Sequence, residues 1–132
     1  MTPVGQSAPA FWTSARATVS ALERSLVLPG GGALRHEDDD YAGGGNPWLI
    51  STLWLGLYYR QVGDEAGWHR CVEYVLARQT PLGLLSEQVT PEGRPAWVVP
   101  LAWSHAMLLL AASPELAILR GGRQVRRATA CK

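Results

Sequence analysis

The stretch Asn46-Pro47-Trp48-Leu49-Ile50-Ser51-Thr52-Leu53-Trp54-Leu55-Gly56-Leu57-Tyr58 decides the fold. Asn is a favoured N-cap and Pro is favoured at the first helical position, so a helix is predicted from Asn46-Pro47 to about Val62. Leu49, Ile50, Leu53, Trp54, Leu57 and Tyr58 cover more than one face of it, so it should be buried on most sides. Downstream, Gly63-Asp64 ends this helix and caps another over about Asp64 to Gln79. There Trp68, Cys71, Val72, Val75 and Leu76 keep helical spacing, with His69, Arg70, Glu73 and Arg78 on the opposite side. Thr80-Pro81 breaks it. Upstream, Pro9 to Leu28 reads as a helix with Trp12, Ala15, Val19, Leu22 and Leu26 on one face and Arg16, Glu23 and Arg24 elsewhere. Pro29-Gly30-Gly31-Gly32 stops it. A fourth helix is predicted from Pro100 to about Ser113, apolar all round apart from Ser104 and His105.

Amphipathic helices thus alternate with almost wholly apolar ones. That pattern suits an all-α fold of two concentric layers, with the first and third helices outside and the second and fourth inside. Successive inner helices then run parallel, and the loops 33–45 and 82–99 open at one mouth. The second loop carries a strong turn signal, Thr90-Pro91-Glu92-Gly93. Four helices cannot close a double ring, and apolar faces left exposed on that scale imply a missing partner.

With 132 residues, 47% hydrophobic and 17% charged, the chain has a globular composition and room for one domain. Its six tryptophans are many for this length. Each offers a flat face that either packs a core or stacks on a sugar. Cys71 and Cys131 form no disulfide framework, which points to a reducing cytoplasm. The first residues lack the pattern of a secretory signal, and the longest apolar run, Ala106 to Ala112, is too short to span a bilayer. Arg120, Arg123, Arg126, Arg127 and Lys132 give a basic tail, while the chain before residue 120 carries seven cations against eleven acids. Such a tail can touch nucleic acid or anionic surfaces, but a solvated disordered end is the simpler expectation. No nucleic-acid or membrane partner is therefore expected. The segments 1–8 and 120–132 are read as disordered ends around a folded unit, 9–119.

Glu87, among Leu84, Leu85 and Val89, is the leading chemical candidate. A carboxylate in partly apolar surroundings is what a general base for water requires. Glu92, beside Gly93 in a turn, reads as solvated. Glu37-Asp38-Asp39-Asp40 lies beside Arg35. A calcium-loop reading fails, since Ala42 falls where a ligand is wanted and no Glu stands at the twelfth position. The run either binds sugar hydroxyls, with Arg35 paired to one acid, or is simply solvated. Gly43-Gly44-Gly45-Asn46 lacks the lysine and spacing of a P-loop. His36, His69 and His105 have no metal-ligand spacing, so no metal or other cofactor is expected. His105 reads as a hydrogen-bonded core residue, and Ser86, Ser104 and His105 do not suggest a hydrolase triad.

Four motifs in order carry a resemblance: Arg35-His36-Glu37-Asp38-Asp39-Asp40-Tyr41, Gly44-Gly45-Asn46-Pro47-Trp48, Ser86-Glu87-Gln88, and Leu101-Ala102-Trp103-Ser104-His105. Together they resemble the C-terminal part of the glucoamylase family (glycoside hydrolase family 15), a group that also includes glucodextranases and some bacterial trehalases. The likeness covers about Phe11 to Pro114. It implies roughly the last third of an (α/α)6 barrel of twelve helices, and hydrolysis of α-glucosidic bonds with inversion. Glu87 matches the general base of that family. Arg35 matches an arginine on the sugar being cleaved, and Trp103 an aromatic lining the same site. Asp39 and Trp48 match supporting positions at the mouth. The resemblance implies an α-glucan or small α-glucoside as substrate. The family's general acid falls upstream of the matching region, so the missing part of the barrel is the expected partner. Two rival readings stand beside this one: a non-catalytic carbohydrate-binding or regulatory remnant, and an inactive truncated product.

Overall fold

The computed structural model describes residues 9–113, with side chains from Thr13 onward. The expected disordered segments 1–8 and 120–132, and Cys131, lie outside the described residues. Four helices dominate: α1 (Pro9–Ser25), α2 (Leu49–Val62), α3 (Glu65–Leu76) and α4 (Ala102–Ala112). The only paired strands among the described residues are two short ones, β1 (Gln88–Val89) and β2 (Pro95–Ala96). The architecture is mostly helical, as the pattern predicts. No helix of the described residues is long and apolar enough to cross a membrane.

The core is built where α2, α3, α4 and the 82–99 loop meet. Leu49, Leu53, Val75, Leu85, Val89 and Ala111 are wholly buried there, with Ile50 and Met107 nearly so. Each large apolar side chain withdrawn from water contributes about 1.5–3 kcal/mol. α2 and α3 approach closely at Gly56, where an added Cβ would come within 2.9 Å of the Cys71 Cβ. Between them the chain reverses in one tight step. Gly63 takes the left-handed conformation at φ 83° and donates to the Arg60 carbonyl. Asp64 then caps α3, accepting the Gly67 N–H at 2.8 Å.

α2 and α4 run parallel. At one end, Leu49 N–H donates to the Glu87 carbonyl and Leu101 N–H to the Leu85 carbonyl, so both helices start against the same loop. At the other end, the Ala111 carbonyl accepts from Arg60 Nη1 at 3.0 Å and from Trp68 Nε1 at 2.9 Å.

Four helix boundaries differ from the sequence reading: α3 ends at Leu76, with Ala77 as its C-cap, not at about Gln79, and the other three shift through tertiary pairing. α2 begins at Leu49, and Trp48 stands in extended conformation at the N-cap position in place of Asn46. Trp48 pairs in strand fashion with Ala33 and with Gln88, and that tertiary pairing pulls residues 46–48 out of the helix. α4 begins at Ala102, not Pro100, because the Leu101 N–H is given to Leu85. α1 stops at Ser25, not Leu28, because Val27 pairs with Ala33 around the glycine turn.

The burial expected of the fourth helix is only partly met. α4 buries Ser104, Met107 and Ala111, but Trp103, Leu109 and Leu110 are exposed. α2, α3 and the 82–99 loop pack on its other side, which leaves these apolar residues uncovered among the described residues. Trp54 of α2 is exposed on the same account. On α1 the predicted apolar positions Ala15, Val19 and Leu22 are half-buried, as is Leu26 just beyond its end, while Arg16, Glu23 and Arg24 are exposed.

Candidate active site

The loops 33–45 and 82–99 converge at the N-terminal ends of α2 and α4. Their meeting is a ladder of single backbone pairings, Val27 with Ala33, Ala33 with Trp48, Trp48 with Gln88, which leads into the β1–β2 hairpin. Val89 N–H donates to the Pro47 carbonyl at 3.1 Å, and Asn46 Nδ2 to Gln88 Oε1 at 3.1 Å. Glu87 therefore sits on a segment fixed on both flanks.

The fixing is dense. Leu85, Ser86, Gln88 and Val89 are wholly buried around it. Glu87 N–H donates to the Val98 carbonyl at 3.0 Å. The Ser104 hydroxyl donates to the Ser86 carbonyl at 2.7 Å, and the Ser86 hydroxyl donates to the Gln88 carbonyl. His105 accepts the Leu85 N–H at Nε2, at 3.2 Å, and its Nδ1 lies 2.8 Å from the Leu101 carbonyl. An imidazole that accepts at Nε2 and donates at Nδ1 is the neutral Nδ1–H tautomer. His105, Ser86 and Ser104 thus hold backbone, and none is a nucleophile or a base.

The Glu87 carboxylate is treated differently from its backbone. It is half-buried, and its Oε2 is enclosed without a hydrogen-bond partner. Burial pushes its pKa above the ordinary 4.5, and the Arg35 charge pulls partly against that. A carboxylate whose charge is poorly solvated takes a proton more readily, which is the property of a general base.

Asp39 shows the opposite arrangement. It is buried, yet Arg35 Nη2 reaches its Oδ1 at 2.7 Å, the Tyr41 N–H reaches the same oxygen at 3.1 Å, and Trp48 Nε1 reaches Oδ2 at 3.0 Å. Burial alone would raise its pKa, but the Tyr41 N–H, the Arg35 guanidinium and the Trp48 indole outweigh it and hold the carboxyl below its ordinary value. Both oxygens are engaged and the group stays ionised, so Asp39 is a structural anion and not a proton donor. It aims Arg35, whose guanidinium lies 4.7 Å from the Trp48 ring centre and 5.3 Å from that of Tyr41. Cation and rings attract at that range.

The structure thus brings Glu87, Arg35, Asp39 and Trp48 to one mouth. Trp103 does not join that array. It is half exposed on α4 and meets Trp54 edge-on at 6.0 Å. Glu37, Asp38 and Asp40 are exposed, so of the two readings of the acidic run, pairing applies to Asp39 and solvation to its neighbours. Sequence reasoning quoted Tyr41 and Gln88 within motifs but gave them no role, and it did not mention Trp97. Tyr41 lies between Trp48 and Trp97, with ring centres at 6.0 and 5.2 Å. Gln88 is wholly buried in β1, and its place in the Ser86-Glu87-Gln88 motif was the signal for it.

The mouth combines one enclosed carboxylate, a guanidinium and several aromatic rings. Comparison with known proteins finds the chain similar to glycoside hydrolases. It is 36% identical over 110 residues to an uncharacterized glycosyl hydrolase of Methanocaldococcus jannaschii, a match covering 70% of this chain and 17% of that protein. It is 33% identical over 117 residues to isomaltose glucohydrolase of Kribbella flavida, covering 76% of this chain and 30% of that protein. The chain therefore spans less than a third of the length of either relative. No family model matches it, and no solved structure matches it.

Proposed function

We propose that this chain is the base-bearing part of an inverting glycoside hydrolase of glucoamylase type, acting on α-glucosides, and that its four helices belong to an (α/α)6 barrel. The observation that carries the reading is the half-buried Glu87 carboxylate, with one oxygen enclosed and unpartnered on a backbone pinned at both flanks. In the reaction, Glu87 takes a proton from a water, and the water oxygen attacks the anomeric carbon. The glycosidic bond breaks on the opposite face, and a general acid protonates the leaving oxygen. Arg35, oriented by Asp39, Tyr41 and Trp48, holds hydroxyls of the sugar being cleaved.

Inversion requires the two carboxyls roughly 6.5–9.5 Å apart, with water between. Asp39 is unsuited to be the acid, since it is ionised and saturated with donors. The acid comes from the rest of the barrel, consistent with the small share of each relative that the chain spans. The test is the anomer first released from an α-glucoside by the protein that carries this chain, followed by proton NMR. β-Glucose appearing first supports the reading, and α-glucose appearing first contradicts it.

A further inference from the structure

We infer that Trp97 is the aromatic platform for the sugar ring linked to the one held at Glu87 and Arg35, an inference that rests on the glycosidase reading above. Three independent observations meet at this residue. First, Trp97 has φ 63°, a left-handed conformation that a bulky side chain adopts only when its surroundings impose it. Second, what the backbone imposes is exposure. The side chain is 60% exposed, although an indole gains by burial. A residue strained into an unfavourable solvent position is a mark of function rather than of packing. Third, the position is coupled to the site on both sides. The indole and the Tyr41 ring meet at 5.2 Å as an edge-to-face pair with a 69° interplanar angle, which fixes the indole beside the mouth. Tyr41 in turn lies under Arg35 and beside Trp48. The next residue, Val98, accepts the Glu87 N–H at 3.0 Å, so the platform and the base are set by adjacent residues of one strand end.

The occupant follows from the chemistry. The π-face of an indole carries partial negative charge and receives the polarised C–H groups of a pyranose, with no need for a hydrogen-bond donor or acceptor. A single glucose held at Glu87 and Arg35 does not need this surface. The next ring of a di- or oligosaccharide does.

The test uses the protein carrying this chain with Glu87→Gln, which stops turnover, and measures binding of glucose and isomaltose by calorimetry. Adding Trp97→Gly removes the ring and suits the left-handed backbone, so the fold is kept. The expected result is an isomaltose Kd raised about tenfold with the glucose Kd unchanged, and partial recovery with Trp97→Phe. Glucose binding intact and isomaltose binding unmoved by Trp97→Gly overturns the platform while sparing the glycosidase reading. An equal loss for both sugars also overturns it, since Trp97 would then serve the whole mouth. Failure of either sugar to bind at all removes the reading and the platform together.

Discussion

Asn46 Nδ2 donates to Gln88 Oε1 at 3.1 Å, with both residues buried, and so joins two loops whose partners lie 42 positions apart. The same amide donates to the Ala42 carbonyl at 3.0 Å. One side chain therefore ties the Arg35 loop to the Glu87 segment, and the geometry of the mouth depends on it.

Asn46→Ala removes both bonds and strips Gln88 of the partner it has, since its Nε2 is already buried without one. A buried polar group left unpaired costs about 1–3 kcal/mol. The expected outcome is a lowered urea midpoint with little change in the m-value, read by circular dichroism.

Asp39 gives a pH dependence whose sign is fixed. Its folded pKa lies below the ordinary 3.8, so on acidification the unfolded chain binds the proton first. Its contribution is complete above the unfolded value and is lost as pH falls through the folded one. Asp39→Asn should therefore be less stable than the parent at pH 7, and the difference should shrink as both are melted at successively lower pH below about 4.

Glu87 has the reverse sign. Its folded pKa is raised by burial above 4.5, so the folded state binds the proton first, and ionisation costs stability as pH rises through that window. Glu87→Gln keeps the shape and removes the poorly solvated charge. The variant should be more stable than the parent at pH 7 and lose that advantage below about pH 4. A parent that is the more stable at neutral pH would mean that the enclosed oxygen is satisfied.

How much of this was legible in the sequence depends on the kind of interaction. Helical spacing gave α1 to α4, because burial of one stripe is a local pattern. The alternation of Leu53-type and Val75-type helices gave the parallel α2–α4 pair, and with it the shared mouth. Helix starts were misread at Asn46 and Pro100, since strand-like pairing of Trp48 and the Leu101 to Leu85 bond are tertiary and leave no local mark. At the site, motif resemblance gave Glu87 the base role and Asp39 a supporting one, but the physical reason for the division was not visible. Two carboxylates look alike in sequence. Three donors surround Asp39 and none reaches Glu87 Oε2, so one carboxylate is a fixed anion and the other is left poorly solvated, as the proposed base requires. Trp97 stayed hidden because exposure and a left-handed φ follow from the hairpin end, not from its neighbours in the chain.

The most direct measurement is the rate of glucose release from an α-glucoside that the protein carrying this chain hydrolyses, with and without Glu87→Gln. If Glu87 is the general base, kcat falls about 10²–10⁴-fold while KM moves little, because the glutamine keeps the shape and loses only the proton acceptor. A kcat that survives the substitution would contradict the account, and the base would have to be sought elsewhere in the protein.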